Sequence, residues 1–160
     1  MLFRSFEFKR FRTQLAPTCG AMGFGLPAAI GAAIADPHRT IVALAGDGCF
    51  LMNGQELATA MQYGLKLVVL VINNGIYGTI RMHQEKHYPG RPSGTGLRNP
   101  DFAALARSYG AHGETVTATA EFEPAFARAL AHDGVALIEL RTDPEAITPK
   151  QTLSEIRAGK

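Results

Sequence analysis

Two apolar runs constrain the fold more than any other feature of the chain: TIVALA at 40–45 and KLVVLVI at 66–72. Both are rich in β-branched residues and neither alternates with polar positions, the pattern of strands buried on both faces. A third run, GVALIEL at 134–140, has the same character. Between the first two lies NGQELATAMQYG, in which Leu57, Ala60, Met61 and Gly64 fall at helical spacing. Asn53 followed three residues later by Glu56 resembles a capping box with Asn in place of Ser or Thr. Strand, helix and strand within about thirty residues form a crossover unit, and buried strands joined that way run parallel.

Downstream, NPDFAALARSYG reads as a helix opened by Asn99, with Pro100 at its first position and Gly110 closing it. EFEPAFARALAHDG repeats the pattern before the third strand. Strands alternating with helices predict an α/β fold, an open and mainly parallel sheet with helices on both faces. The exception is 88–99, YPGRPSGTGLRN, which has three Gly, two Pro and no periodicity, and reads as a mobile loop. At 160 residues the chain has the length of one domain. Hydrophobic residues at 46% and charged ones at 19% exclude a disordered tail, and a formal charge of +2 is too small to imply nucleic acid.

The N-terminal MLFRSFEFKRFRTQ lacks the continuous apolar core of a secretion signal, and its Arg4, Lys9, Arg10 and Arg12 read as solvated charges. Residues 16–35 have the length of a membrane span but are mainly Gly and Ala, with Pro17 and Pro27 inside, so no membrane segment is expected. Two cysteines, Cys19 and Cys49, in no CxxC pair fit a reducing cytoplasm.

In open parallel sheets, ligands sit beyond the carboxyl ends of the strands. Asp47 stands at such an end, between Gly46 and Gly48, and the next strand delivers Asn73 and Asn74 to the same rim. A carboxylate and an amide oxygen are hard ligands suited to Mg²⁺ or Ca²⁺. They do not fill an octahedral shell, and Mg²⁺ is commonly held by one or two carboxylates together with phosphate oxygens and water. The glycines let the backbone approach a bulky anion, and the amides of Gly48, Cys49 and Phe50 precede a helix whose positive end favours phosphate. A carboxylate there repels phosphate unless a cation lies between them, which is the role expected for Asp47.

Other readings compete. DG and NG are common hairpin turns, and Asp or Asn at a strand end is often only a helix cap; a hairpin, however, does not place a helix between buried runs. Gly23, Gly25 and Ala28 fit the dinucleotide fingerprint G-x-G-x-x-A, but FEFKRFRTQLAPT before them lacks the buried strand that a nicotinamide or flavin site needs. His83 and His87 share one helix face without a third zinc ligand and read as solvated. Cys49 reads as a small packed residue rather than a nucleophile.

GDG at 46–48, 24 intervening residues and NN at 73–74 together resemble the thiamine diphosphate signature. GAMGFGLPAAIGA upstream, and HYPGR, NPDFAALARSYGAHGE and ALIELRTDPEAITP downstream, are similar to the C-terminal part of acetolactate synthase large subunits, so the resemblance runs from Thr13 to Arg157. It implies thiamine diphosphate and Mg²⁺ as cofactors and a 2-oxo acid as substrate. Asp47 and Asn74 match side-chain ligands of Mg²⁺, and Ile76 matches a backbone-carbonyl ligand. Gly48, Cys49, Gly78 and Thr79 match the surroundings of the diphosphate, beside the Gly46 and Phe50 already placed there by the turn and the helix start. Gly20 and Met22 match positions at the aminopyrimidine, Met22 as the apolar wedge that bends the cofactor.

Arg81, Met82 and His83 match a stretch facing the substrate channel, although the tryptophan usual near His83 in such enzymes is missing, since the chain has no Trp. The resemblance also implies that the activating glutamate comes from a separate pyrimidine-binding domain acting across a dimer interface. The 19 residues before Gly20 are too few to contain one, so a partner domain or chain and a homo-oligomer are expected, with this chain catalytically incomplete alone. A non-catalytic binding module and one subunit of a two-chain enzyme are the alternatives. Glu56 is read as a cap, with a catalytic role as its minor alternative.

Overall fold

The computed structural model describes residues 8–11 and 13–159; Arg4 and Arg12 lie outside them. Four strands, β1 (Val42–Gly46), β2 (Leu67–Asn73), β3 (His112–Val116) and β4 (Val135–Arg141), form one parallel sheet in the order β1-β2-β4-β3. Among the described residues seven α-helices accompany them: α1 (Gly25–Ala35), α2 (Asp47–Asn53), α3 (Leu57–Gln62), α4 (Gly78–His87), α5 (Phe102–Ser108), α6 (Thr119–Ala131) and α7 (Leu153–Arg157). No described helix is long and apolar enough to cross a membrane.

The non-alternating β2 run follows from its central place, because side chains on both of its faces are buried. Leu67, Val69 and Val71 join Leu26, Ile30, Phe50 and Phe102 in the larger core, beneath α1, α2, α3 and α5. Val68 and Leu70 turn the other way, toward Val116, Ala125, Ala129 and Ile138 beneath α6. Helices thus cover both faces, as the sequence predicts.

β3 is absent from the sequence reading. HGETV is short and polar, and it lies at the sheet edge where only Val116 is buried, so it carries neither the apolar run nor the alternation that reveals a strand. Two helix starts also need correction. Asn53 does not open a helix: α2 begins at Asp47 with Gly46 as its cap, a 3₁₀ turn at Gly54–Glu56 leads into α3, and the Asn53 side chain donates to the Gly23 carbonyl instead. Asn99 does not open α5 either, since Asp101 caps it and accepts the Ala104 amide at 2.7 Å. At α5 the better-placed Asp101 takes the cap, whereas Asn53 ends α2 and makes no side-chain cap; each asparagine is left for a longer-range contact.

Candidate functional site

β1 and β2 are adjacent and parallel, with Gly46 in register with Ile72, so their carboxyl ends open on one rim. α2 starts there directly, which places Asp47 in its first turn at 3% exposure. Asp47 Oδ1 accepts the Gly48 amide at 2.9 Å; Oδ2 accepts the Gly75 amide at 2.8 Å and Asn99 Nδ2 at 2.7 Å. None of the ion pairs among the described residues involves Asp47. Three neutral donors stabilise the buried carboxylate without cancelling its charge, and such a site is complementary to a cation.

The second strand meets it through a tight turn. Asn74 Oδ1 accepts the Ile76 amide at 3.2 Å, and Gly75 takes a positive φ of 69°, so the backbone doubles back toward Asp47. Asp47 and Asn74 are therefore stitched together by the single residue Gly75. Gly78 opens α4 against this turn: a Cβ there would lie 3.2 Å from Asn74 Nδ2 and 2.6 Å from Ile147. At Gly48 a Cβ would lie 2.5 Å from the Tyr77 ring, so only glycine lets that ring rest on the start of α2. Neither α2 nor α4 has a side-chain hydrogen bond at its N-cap; the Gly48 amide is taken by Asp47 Oδ1 and Gly46 closes β1, which leaves the first-turn amides of Cys49, Gly78 and Thr79 without an intrahelical partner. Phe50 is the exception within its group. As the fourth residue of α2 its amide turns back into the helix, while its ring is buried edge-on against Phe102, 5.5 Å between centroids.

Gly20 and Met22 precede Gly23, which packs at the other end of α2. A Cβ on Gly23 would meet Met52 Cβ at 2.9 Å and Asn53 Nδ2 at 2.7 Å, so the turn before α1 packs against the α2 C-terminus, about 10 Å along the helix from Asp47. Met22 is 42% exposed and is not the core residue that its type alone suggests. No strand occurs in 13–24, so the dinucleotide fingerprint at Gly23–Ala28 lacks its structural context. Glu56 Oε2 accepts the Thr59 hydroxyl at 2.7 Å and caps nothing at Asn53.

The three substrate-side candidates separate. Met82 is buried with Leu153 and Ile156. His83 is exposed, stacked on His87 with centroids 6.5 Å apart. Arg81 pairs with Glu85, which is fully buried and also takes two hydrogen bonds from Arg157, at 2.9 and 3.1 Å. The Arg157 guanidinium, the Gly90 amide and Arg81 together hold the Glu85 carboxyl down to about 2. This cluster clamps α7 onto α4.

The 88–99 segment has no helix or strand, but its second half is fastened to the site. Tyr77 donates to the Thr95 carbonyl at 2.9 Å and Leu97 to the Gly75 carbonyl at 2.8 Å, around an antiparallel bridge between Ile76 and Gly96. Behind Asp47 lies a polar chain absent from the sequence reading. Asn99 Nδ2 reaches Asn73 Oδ1 at 2.8 Å, Asn73 Nδ2 donates to Glu139 Oε1 at 2.6 Å, and Thr115 and Arg141 complete the shell of the fully buried Glu139. A cleft of about 400 Å³ is lined by Asn73, Gly75, Asn99, Glu139 and Arg141, among others. The one visible signal was a carboxylate inside the apolar run GVALIEL, where a charge needs a buried partner.

Comparison with known proteins shows the family and the fold. The family model described as thiamine pyrophosphate enzyme, C-terminal TPP binding domain, matches residues 1–140. An acetolactate synthase of Arthrospira platensis is 40% identical over 124 residues, covering 76% of this chain and 21% of its own. Acetolactate synthase isozyme 2 large subunit of Escherichia coli (strain K12) is 42% identical over 125 residues, 78% of this chain and 23% of its own. Among solved structures, the thiamine diphosphate-dependent 4-hydroxybenzoylformate decarboxylase of Rhodococcus jostii RHA1 superposes with a TM-score of 0.74 at 40% identity, over 79% of this chain and 24% of its own. The chain thus spans between a fifth and a quarter of the length of these relatives.

Proposed function

Because the chain belongs to the thiamine pyrophosphate enzymes, as their C-terminal cofactor-binding domain, we propose that it holds the diphosphate end of thiamine diphosphate through Mg²⁺ at Asp47, Asn74 and the Ile76 carbonyl. The observation that carries the reading is the buried Asp47 carboxylate, surrounded only by neutral donors, one residue away from a second hard oxygen on Asn74. The donor set fits Mg²⁺, and the uncapped starts of α2 and α4 supply amides for phosphate oxygens.

When bound, thiamine diphosphate supplies carbanion chemistry for cleaving or joining 2-oxo acids; the protein supplies binding, orientation and shielding. Asp47 and Asn74 would hold the cation whose charge offsets that of the diphosphate, Gly48 would let the start of α2 come close to it, and Met22 would supply apolar surface for the ring system.

Completion by a second domain is supported by the surface. Met22, Phe24, Leu51 and Met52 are large, exposed apolar side chains around the packed contact of Gly23 with Met52, and such a patch marks an interaction surface. A pyrimidine-binding domain or chain seated there supplies the activating acid and closes the site, giving an acetolactate-synthase-like enzyme that acts on a 2-oxo acid. Titration calorimetry of thiamine diphosphate with and without Mg²⁺ tests the reading: binding needs both components and is lost in Asp47→Ala, whereas equal heats in the two proteins would remove the assignment.

A further inference from the structure

We propose that Asn99 is a positioning residue for the metal site, acting on Asp47; the inference rests on the Mg²⁺ reading above. The amide nitrogen of Asn99 uses both of its hydrogens on oxygens, Asp47 Oδ2 at 2.7 Å and Asn73 Oδ1 at 2.8 Å. Its own oxygen, Oδ1, is buried with no partner. A helix-capping asparagine uses that oxygen, but Asp101 has taken the cap of α5. A buried acceptor left without a donor costs about 1–3 kcal/mol, so this side chain is held in place for what its nitrogen does.

The consequence falls on Asp47. Oδ2 receives two donors, Gly75 and Asn99, while Oδ1 receives only its neighbour Gly48. This fixes the rotation of the carboxylate and leaves Oδ1 with acceptor capacity for an ion. The donor is neutral, so it orients the carboxylate without competing with the ion, as a lysine or arginine at position 99 would.

Asn99 is itself oriented by Asn73, and Asn73 by the buried Glu139, so the direction of every amide in the chain is set by a carboxylate at each end. Partners one layer behind a metal ligand typically contribute 10–100-fold in metal affinity.

The test uses the full 160-residue chain as wild type, Asn99→Ala, the nearly isosteric Asn99→Leu, and Asp47→Ala. Thiamine diphosphate binding is followed by calorimetry across a Mg²⁺ series, with circular dichroism and thermal unfolding without Mg²⁺ to establish folding. Both Asn99 variants are expected to stay folded, to raise the half-saturating Mg²⁺ concentration about 10–100-fold, and to recover wild-type binding capacity at high Mg²⁺. A general loosening would instead lower capacity at every Mg²⁺ concentration.

Folded Asn99 variants with an unchanged Mg²⁺ midpoint overturn the inference, and loss of binding in Asp47→Ala alone then leaves the Mg²⁺ reading standing. Variants that both remain unfolded at saturating Mg²⁺ and cofactor make Asn99 a structural residue and overturn it equally. A wild type that binds cofactor without any Mg²⁺ dependence overturns the Mg²⁺ reading, and the role of Asn99 falls with it.

Discussion

Asp47 and Glu85 show how one residue type is buried for opposite ends. Glu85 is neutralised by two arginines, while Asp47 has only amide donors, so the first closes a structural clamp and the second stays open to an ion. Glu85→Gln leaves Arg81 facing a neutral amide and is expected to cost about 3 kcal/mol, the lower end for a broken buried pair because Arg157 stays half-exposed; urea unfolding measures it. The clamp also makes a pH prediction. Glu85 titrates near 2 in the folded chain, and Glu114, held down chiefly by its hydrogen bond from Arg128 and then by His112, does the same, against a reference of 4.5. The unfolded chain therefore binds more protons between these values, and stability present above pH 4.5 is lost as pH falls toward 2. Thermal melts across that window show a slope that flattens in Glu85→Gln.

The order of elements was legible where burial shaped the pattern. β1, β2 and β4 are apolar runs because neighbouring strands and helices enclose them, and their observed limits differ from those read in the sequence by one or two residues. β3 escaped because an edge strand with one buried residue leaves no periodic trace. The asparagines were harder, since Asn53 and Asn99 each sit where a cap suits the local sequence, and only the fold shows that Asn53 ends α2 and that Asp101 caps α5. Asp101→Ala is expected to destabilise α5 by about 1 kcal/mol without moving the Mg²⁺ midpoint, which separates α5 from the adjacent Asn99 in a thermal and calorimetric comparison. The 75–77 and 95–97 pairing predicts that the Tyr77 and Leu97 amides exchange more slowly when Mg²⁺ and cofactor are bound, as read by hydrogen exchange.

At the scale of the molecule, the candidate site was legible because its residues cluster at turns with unusual composition, whereas the network behind it was not, because Asn73, Asn99, Thr115 and Glu139 are scattered along the chain. The exposed side chains Leu51 and Met52 and the unpaired outer edge of β1 among the described residues predict association: sedimentation shows species larger than the 17.2 kDa monomer, and Met52→Glu reduces them. The proposed function turns on one ion between Asp47, Asn74 and a diphosphate. Anomalous diffraction from crystals grown with Mn²⁺ and thiamine diphosphate locates that ion directly, since Mn²⁺ accepts the same oxygen ligands. An anomalous peak is expected about 2.1 Å from Asp47 Oδ1 and from Asn74 Oδ1, touching the diphosphate; cofactor bound with no ion between it and these two residues would overturn the metal assignment.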